Sequence, residues 1–344
     1  MSGLSRRTRV YLTVDIEGAE ERVRKGVAHP PLGYDLRIWG RLSNQRRALG
    51  LPLLFDRLGR FGLRATFFLE PLGSSFFGMA GLREVTQSLL LAGQDVQLHT
   101  HPIQRRVDWF TRGEPALPDN MASYGLDEQA GLLGEGLRLL EEAGADRRRL
   151  LGFRAGNFGA NNDTWAAMAR QGLTVSSNLN LCYLRNCAIR WPVPKNQLFA
   201  ATDRVWELPI STFREGGGYR HLQVTAISFA EMRHFLEEAR RQGLGEVTIV
   251  THSFEYFFVD SAARRTGHPN WINIRRLEAL CRFLHDRSDD FEVETVGALA
   301  ARLGNEGQLP RPDLEAGDKV LGGRRRLRYA RFAEQALKRL SAGF

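Results

Sequence analysis

The sequence predicts an α/β fold in which parallel strands are joined by crossover helices, and three observations carry that prediction. Seven short runs rich in β-branched and aromatic residues read as strands. Six longer stretches place apolar residues at helical spacing, and five of them stop on glycine. The two kinds alternate along the chain, the pattern of a parallel sheet wrapped by helices.

The first strand, "RVYLTV" (9–14), runs into Asp15. "LPLLFDRLGRFG" (51–62) is the first helix, and "RATFFLE" (64–70) the second strand. A helix over "LREVTQSLLLAG" (82–93) gives way to the third strand, "DVQLH" (95–99). An insertion containing proline and glycine (102–125) precedes the helix "DEQAGLLGEGLRLLEEAG" (127–144) and the strand "LLGFR" (150–154). Helix "NDTWAAMARQG" (162–172) leads to strand "LTVSS" (173–177), and helix "FAEMRHFLEEARRQG" (229–243) to strand "EVTIVTH" (246–252). The last pair is helix "INIRRLEALCRFLHD" (272–286) and strand "FEVET" (291–295). The implied organisation is an N-terminal extension (1–8), one α/β domain (9–303) with a rim insertion around 102–125, and a linker with a terminal helix (304–344).

Apolar residues make up 43% of the 344 and charged residues 25%, the balance of a globular protein with a large core. No apolar run approaches the roughly 18 residues of a membrane span. The opening "MSGLSRRTRVYLTVDIEG" has too short an apolar stretch for a secretory leader, so a cytoplasmic location is expected. Cys182, Cys187 and Cys281 are odd in number and form no C-x-x-C pair, which argues against a disulfide framework or a zinc ribbon. "FRAGNFG" (153–159) and "EGGGY" (215–219) lack the spacing of a phosphate loop.

The net charge of +9 is partly local: seven Lys or Arg fall between Arg324 and Arg339 against the single Glu334. Leu327, Ala330, Ala333, Leu337 and Leu340 form a helical stripe, so the tail is a basic amphipathic helix. Two readings stand: the stripe docks on the body with a solvated outer face, or the helix meets an anionic membrane from the cytoplasmic side. Nucleic acid is not expected as a partner, since no recognition motif accompanies the charge.

Ligands gather at the carboxyl ends of parallel strands. Asp15 and Glu17 follow the first strand, His99 and His101 the third, Arg154 the fourth, and His252 ends "VTIVTH". Period two along a strand turns Asp15 and Glu17 to one pocket, where one can ligate a metal while the other acts as base. The same period pairs His99 with His101, and neutral imidazole is a common metal ligand. Arg154 follows an apolar strand and requires a carboxylate partner, which Asp15 can supply. His252 titrates near neutrality and can protonate a leaving amine. Each feature alone also fits an ordinary turn, salt bridge or core histidine; their joint placement is what points to a site.

"TVDIEG", "ATFFLE", "LHTHP", "GFRAGNFG" and "THSFE", in that order, resemble the polysaccharide deacetylases, metal-dependent carbohydrate N-deacetylases of the NodB-homology type. "SSNLN" (176–180) and "ELPIST" (207–212) resemble that family's late motifs, and the similarity runs from about Val10 to Leu299. The resemblance implies a distorted (β/α) barrel, here of seven parallel strands with outer helices. It implies Asp15 as general base with Arg154 as its partner, Glu17 and His99 as metal ligands, and His252 as general acid. The implied reaction removes an acetyl group from an N-acetylated sugar: water activated at the metal and by Asp15 attacks the acetamide carbonyl, and His252 protonates the departing nitrogen. The metal is one divalent ion, zinc first, with cobalt, nickel or iron also suited. A lipid-linked or nucleotide-linked glycan intermediate is the expected substrate.

Two departures from the family pattern stand out. Many members have adjacent aspartates where this chain has Asp15-Ile16-Glu17, and the longer Glu17 side chain is expected to reach the metal. Most members space their two histidines four apart, but four past His99 is Ile103, which cannot ligate. His101 is therefore the expected second histidine, with Asp108 or water as substitutes. Trp109, Phe110 and Tyr124 of the insertion are candidate sugar-stacking residues, and His268 a further rim histidine. The alternatives are a catalytically inactive deacetylase-like carbohydrate-binding protein, a metal-dependent phosphoesterase using the H-x-H pair, and a related amide hydrolase on the same scaffold.

Overall fold

A computed structural model describes residues 7–24, 26–191, 196–260, 265–305 and 321–341. Residues 1–6 of the expected extension and 306–320 of the expected linker lie outside the described residues. The elements that build the site run in chain order. They are β1 (Thr8–Ile16), α1 (Leu51–Arg60), β2 (Thr66–Leu69), α2 (Met79–Leu91), β3 (Asp95–Thr100) and α3 (Leu126–Glu142). Then follow β4 (Gly152–Ala155), α4 (Asn162–Arg170), β5 (Val175–Ser176), β6 (Phe199–Ala200), β7 (Trp206–Glu207) and α5 (Phe229–Arg241). The chain closes with β8 (Glu246–His252), α6 (Trp271–Asp286), β9 (Phe291–Val293), α7 (Val296–Asn305) and α8 (Arg325–Ser341).

One nine-stranded sheet runs β8-β1-β2-β3-β4-β5-β7-β6, with β9 pairing the start of β1 beside β2. Every pairing is parallel except β6 with β7. All seven expected strands are present. The eighth parallel strand, β7, is only two residues long, too short to show a period. The sheet curls into the distorted barrel. Its gap between β7 and β8 is spanned by irregular chain, where Ser211 N donates to Thr248 O (3.4 Å) and Val224 N to Val250 O (3.1 Å).

β1 shows why the strands are apolar on both faces, as in parallel sheets covered on each side. Val10, Leu12, Val14 and Ile16 point into the large core shared with the outer helices. Tyr11, of the other parity, joins Phe68, Val175, Val296 and Leu299 in a smaller cluster inside the barrel. That cluster is formed with α7, a helix that the periodicity reading missed. Val296 N donates to Thr66 Oγ1 (2.8 Å) and Gly297 N to Asp95 Oδ2 (2.9 Å), so the strands' amino ends cap the helix. α7 packs at that end, and the ionisable groups collect at the opposite, carboxyl end, where they line a cavity.

The terminal helix α8 docks, but not by its expected stripe. Ala330, Ala333 and Leu337 face solvent, Leu327 is half-buried, and the side chain of Leu340 lies outside the described residues. Contact is made instead by charge. Arg331 is fully buried, donating from Nη1 to Glu231 Oε1 (2.9 Å) and from Nη2 to Glu215 Oε1 (2.6 Å). Glu334 accepts from Arg276 Nη2 (2.6 Å), and Lys338 Nζ donates to Thr225 Oγ1 (2.8 Å). Glu215 and Glu231 line the body under the helix, so an arginine, not a leucine, satisfies that surface.

Candidate active site

Sheet register brings the sequence-distant groups together. Asp15 is the β1 partner of His252 on β8, and His99 on β3 is the partner of Arg154 on β4. Inside the barrel Arg154 Nη1 donates to Asp15 Oδ1 (2.7 Å) and to Thr13 Oγ1 (3.0 Å). Its Nη2 donates to Ser177 Oγ (3.0 Å), and the guanidinium lies 4.2 Å from the Phe68 ring centre. A fully buried guanidinium is thereby satisfied on several sides, and burial pulls its pKa down while Asp15 pushes it up. Asp15 Oδ2 is left 3.8 Å from His252 Nε2.

The adjoining cluster is Glu17, His99 and His101, whose ligand atoms all lie within 4.8 Å of one another. Glu17 Oε2 is 2.6 Å from His101 Nε2 and 3.5 Å from His99 Nε2. Each histidine's other nitrogen is already engaged. His99 Nδ1 meets the Arg154 carbonyl (2.8 Å) and His101 Nδ1 meets Asp119 Oδ2 (2.8 Å). Those acceptors take the Nδ1 protons, so both Nε2 atoms are turned toward Glu17, and His101 would ligate there once its Nε2 proton is released. Metal-binding histidines are held in this way, with the distal N–H tied to a carbonyl or carboxylate. The donor set therefore fits a divalent ion with three protein ligands and an open position. Burial acts to raise the Glu17 carboxyl, yet the charge and hydrogen bond of His101, with His99, hold it well below the usual range. Burial likewise opposes a charge on His101, and Glu17 and Asp119 override it, lifting its pKa well above the ordinary value.

Several contributors went unnoticed in the sequence. Arg37, in the π-helical turn Tyr34–Trp39, donates to Glu17 Oε1 (3.2 Å) and covers the Phe254 ring at 3.4 Å. It occupies one carboxylate oxygen and leaves the other to the histidines. Asp119 and Asn157, joined at 2.7 Å, back His101 from two loops. Glu255, three residues past His252, accepts from its Nδ1 at 3.0 Å; that spacing within "THSFE" was a usable signal. Burial would lower His252, but Glu255 above all, then Asp15 and Glu17, raise it to about 9. Gly156 of "GFRAGNFG" has a steric reason: a Cβ there would lie 2.4 Å from the His101 ring.

The groups open into a cavity of about 90 Å³ whose wall also includes Asn157, Phe158, Tyr183 and Gln223. Phe158 and Tyr183 pack on each other in that wall, with ring centres 5.3 Å apart. Trp109, Phe110 and Tyr124 are not part of that wall. The insertion turns them elsewhere, with Phe110 N bonded to Glu21 and Tyr124 Oη to the Pro118 carbonyl. His268 packs on Phe258, 5.0 Å between ring centres, instead of reaching the cavity. Asp108 pairs with Arg112 (2.8 Å) and does not join the cluster.

Fold and site together define a distorted (β/α) barrel with a candidate metal centre at its carboxyl-end mouth. Solved structures similar to the chain include polysaccharide deacetylases. A protein from Mycobacterium smegmatis described as a polysaccharide deacetylase aligns over 89% of this chain and 93% of its own, at 19% identity and a TM-score of 0.53. That likeness is one of fold. The peptidoglycan deacetylase PdaC of Bacillus subtilis aligns over 88% and 93% at 11% identity and a TM-score of 0.40. A CE4 family pseudoenzyme of Bacillus anthracis aligns over 86% and 66% at 12% and 0.42. No family profile and no curated protein matches the chain.

Proposed function

We propose that the protein is a metal-dependent carbohydrate N-deacetylase. The observation that carries this reading is the convergence of the His99 and His101 Nε2 atoms on Glu17, in one cavity with Asp15, which Arg154 holds, and His252, which Glu255 holds. Glu17, His99 and His101 would hold one divalent ion, zinc being the first expectation. Such an ion supplies Lewis acidity to a carbonyl oxygen and lowers the pKa of water.

The chain's own groups divide the proton work. Asp15, fixed through Oδ1 by Arg154, takes a proton from the attacking water at Oδ2. His252 stays protonated up to about pH 9 and gives its Nε2 proton to the departing nitrogen, while Glu255 holds Nδ1. Water adds to the acetyl carbonyl, the C–N bond breaks, and acetate and a free amine leave. Phe158 and Tyr183 would take the apolar face of a sugar ring, which favours a carbohydrate amide.

The test is acetate release from N-acetylglucosamine oligomers by the zinc- or cobalt-loaded protein, with p-nitrophenyl phosphate alongside. Turnover of the amide that falls about 10²- to 10⁴-fold in Asp15→Asn supports the proposal. Stoichiometric metal with no acetate release from any N-acetylated sugar would instead make the protein a binding module. Phosphate release that depends on His99 would transfer it to the phosphoesterases.

A further inference from the structure

Docking by charge leaves α8 turned inside out relative to an ordinary surface helix. Arg331, Glu334 and Lys338 fall on one face and point at the body. On the opposite face Tyr329 is 70% exposed, Phe332 43% and Leu337 61%, with the small exposed residues Ala333 and Ala336 between them. Three large apolar side chains exposed within nine residues of one helix make a patch, not a scatter. Arg325, Arg326 and Arg328 are exposed beside it at the helix start, and Arg324 immediately precedes them. The one acid of the helix, Glu334, is turned inward to Arg276.

We propose that this outward face of α8 docks on an anionic lipid bilayer. Aromatic and aliphatic side chains bordered by arginines are what an interfacial helix presents to the boundary between headgroups and acyl chains. The arginines supply attraction to an anionic leaflet, and the apolar residues supply the insertion. Among the described residues no helix is long and apolar enough to cross a membrane, so the contact is peripheral. The helix also lies near the site. Thr225, which accepts from Lys338, is two residues from Gln223 of the cavity wall. Asn273 Nδ2 shares the Thr225 hydroxyl (3.0 Å), and two residues before it Trp271 is 60% exposed, an aromatic suited to the headgroup level. On the proposed function, membrane attachment through this face favours a glycan carried on a lipid.

The inference stands or falls without the catalytic reading, because its test reads binding alone. Full-length protein is sedimented with vesicles of phosphatidylcholine alone or with about one third phosphatidylglycerol. Binding to the anionic vesicles only, weakened by added salt, is expected. The double variants Arg325→Glu/Arg326→Glu and Phe332→Ser/Leu337→Ser should each lose about tenfold or more of that binding. Both keep Arg331, Glu334 and Lys338, though Phe332→Ser removes a ring lying 5.3 Å from the Arg331 guanidinium, and an unchanged melting temperature certifies that the helix is still docked. Wild-type protein that stays in the supernatant, or variants that bind as well as wild type, overturn the proposal. So does a wild-type dimer that the Phe332→Ser/Leu337→Ser variant dissolves without any vesicle binding, which would make the face an interface between copies.

Discussion

His101 and Asp119 are joined by a 2.8 Å contact between Nδ1 and Oδ2, although they stand 18 positions apart in the chain. That contact sets the ring so that its Nε2 reaches Glu17. A carboxylate behind a metal-binding histidine typically accounts for a factor of about 10 to 100 in metal affinity. Asp119→Ala should therefore weaken zinc binding by about that factor, measured by competition with a chromophoric chelator, while the melting temperature of the metal-free protein moves little. Asp119→Asn, which keeps an acceptor oxygen, should recover part of the loss. Equal affinity in all three proteins would remove Asp119 from the metal site.

Arg154 makes a different kind of prediction, one about stability. It is fully buried, and its charge is matched by Asp15. Removing one member of a buried pair strands the other and typically costs about 3–5 kcal/mol. Arg154→Ala should cost about that much in urea unfolding, and Arg154→Ala combined with Asp15→Asn should cost less, since no charge is left alone. If the double variant is the less stable one, the pair is not what the arginine is held for, and the Thr13 and Ser177 contacts matter more.

The contrast between Arg154 and Asp119 also marks what sequence could and could not disclose. Asp15, His99, Arg154 and His252 were legible because each ends a strand, and a parallel sheet delivers strand ends to one mouth. Asp119 sits in a loop and Arg37 in a single π-helical turn, neither long enough in regular structure for a period to say which way a side chain turns. The stripe on α8 was misread for a related reason. Hydropathy counts the apolar side, but the side that docks was decided by Glu215 and Glu231, more than ninety residues earlier in the chain. β7, at two residues, leaves no pattern to read at all.

Glu255 governs the pH behaviour of the proposed acid. It sits 3.0 Å from His252 Nδ1 and is the main opponent of the burial that would otherwise lower that histidine. On the proposed mechanism the ring must be protonated, so kcat/KM should fall as pH rises through about 9. In Glu255→Gln, burial prevails and the falling limb should move to lower pH by about one to two units. The variant should thus approach wild-type rates near pH 6 and fall well behind near pH 8. The same shift is linked to stability. A histidine raised in the folded state stabilises fully below its unfolded pKa of about 6.5, and that gain is lost as pH rises through about 9. His252→Gln should flatten the melting-temperature slope across this window. A Glu255→Gln profile that keeps the wild-type limb and drops equally at every pH would show that Glu255 only supports the loop, and that His252 takes its proton affinity from Asp15 and Glu17.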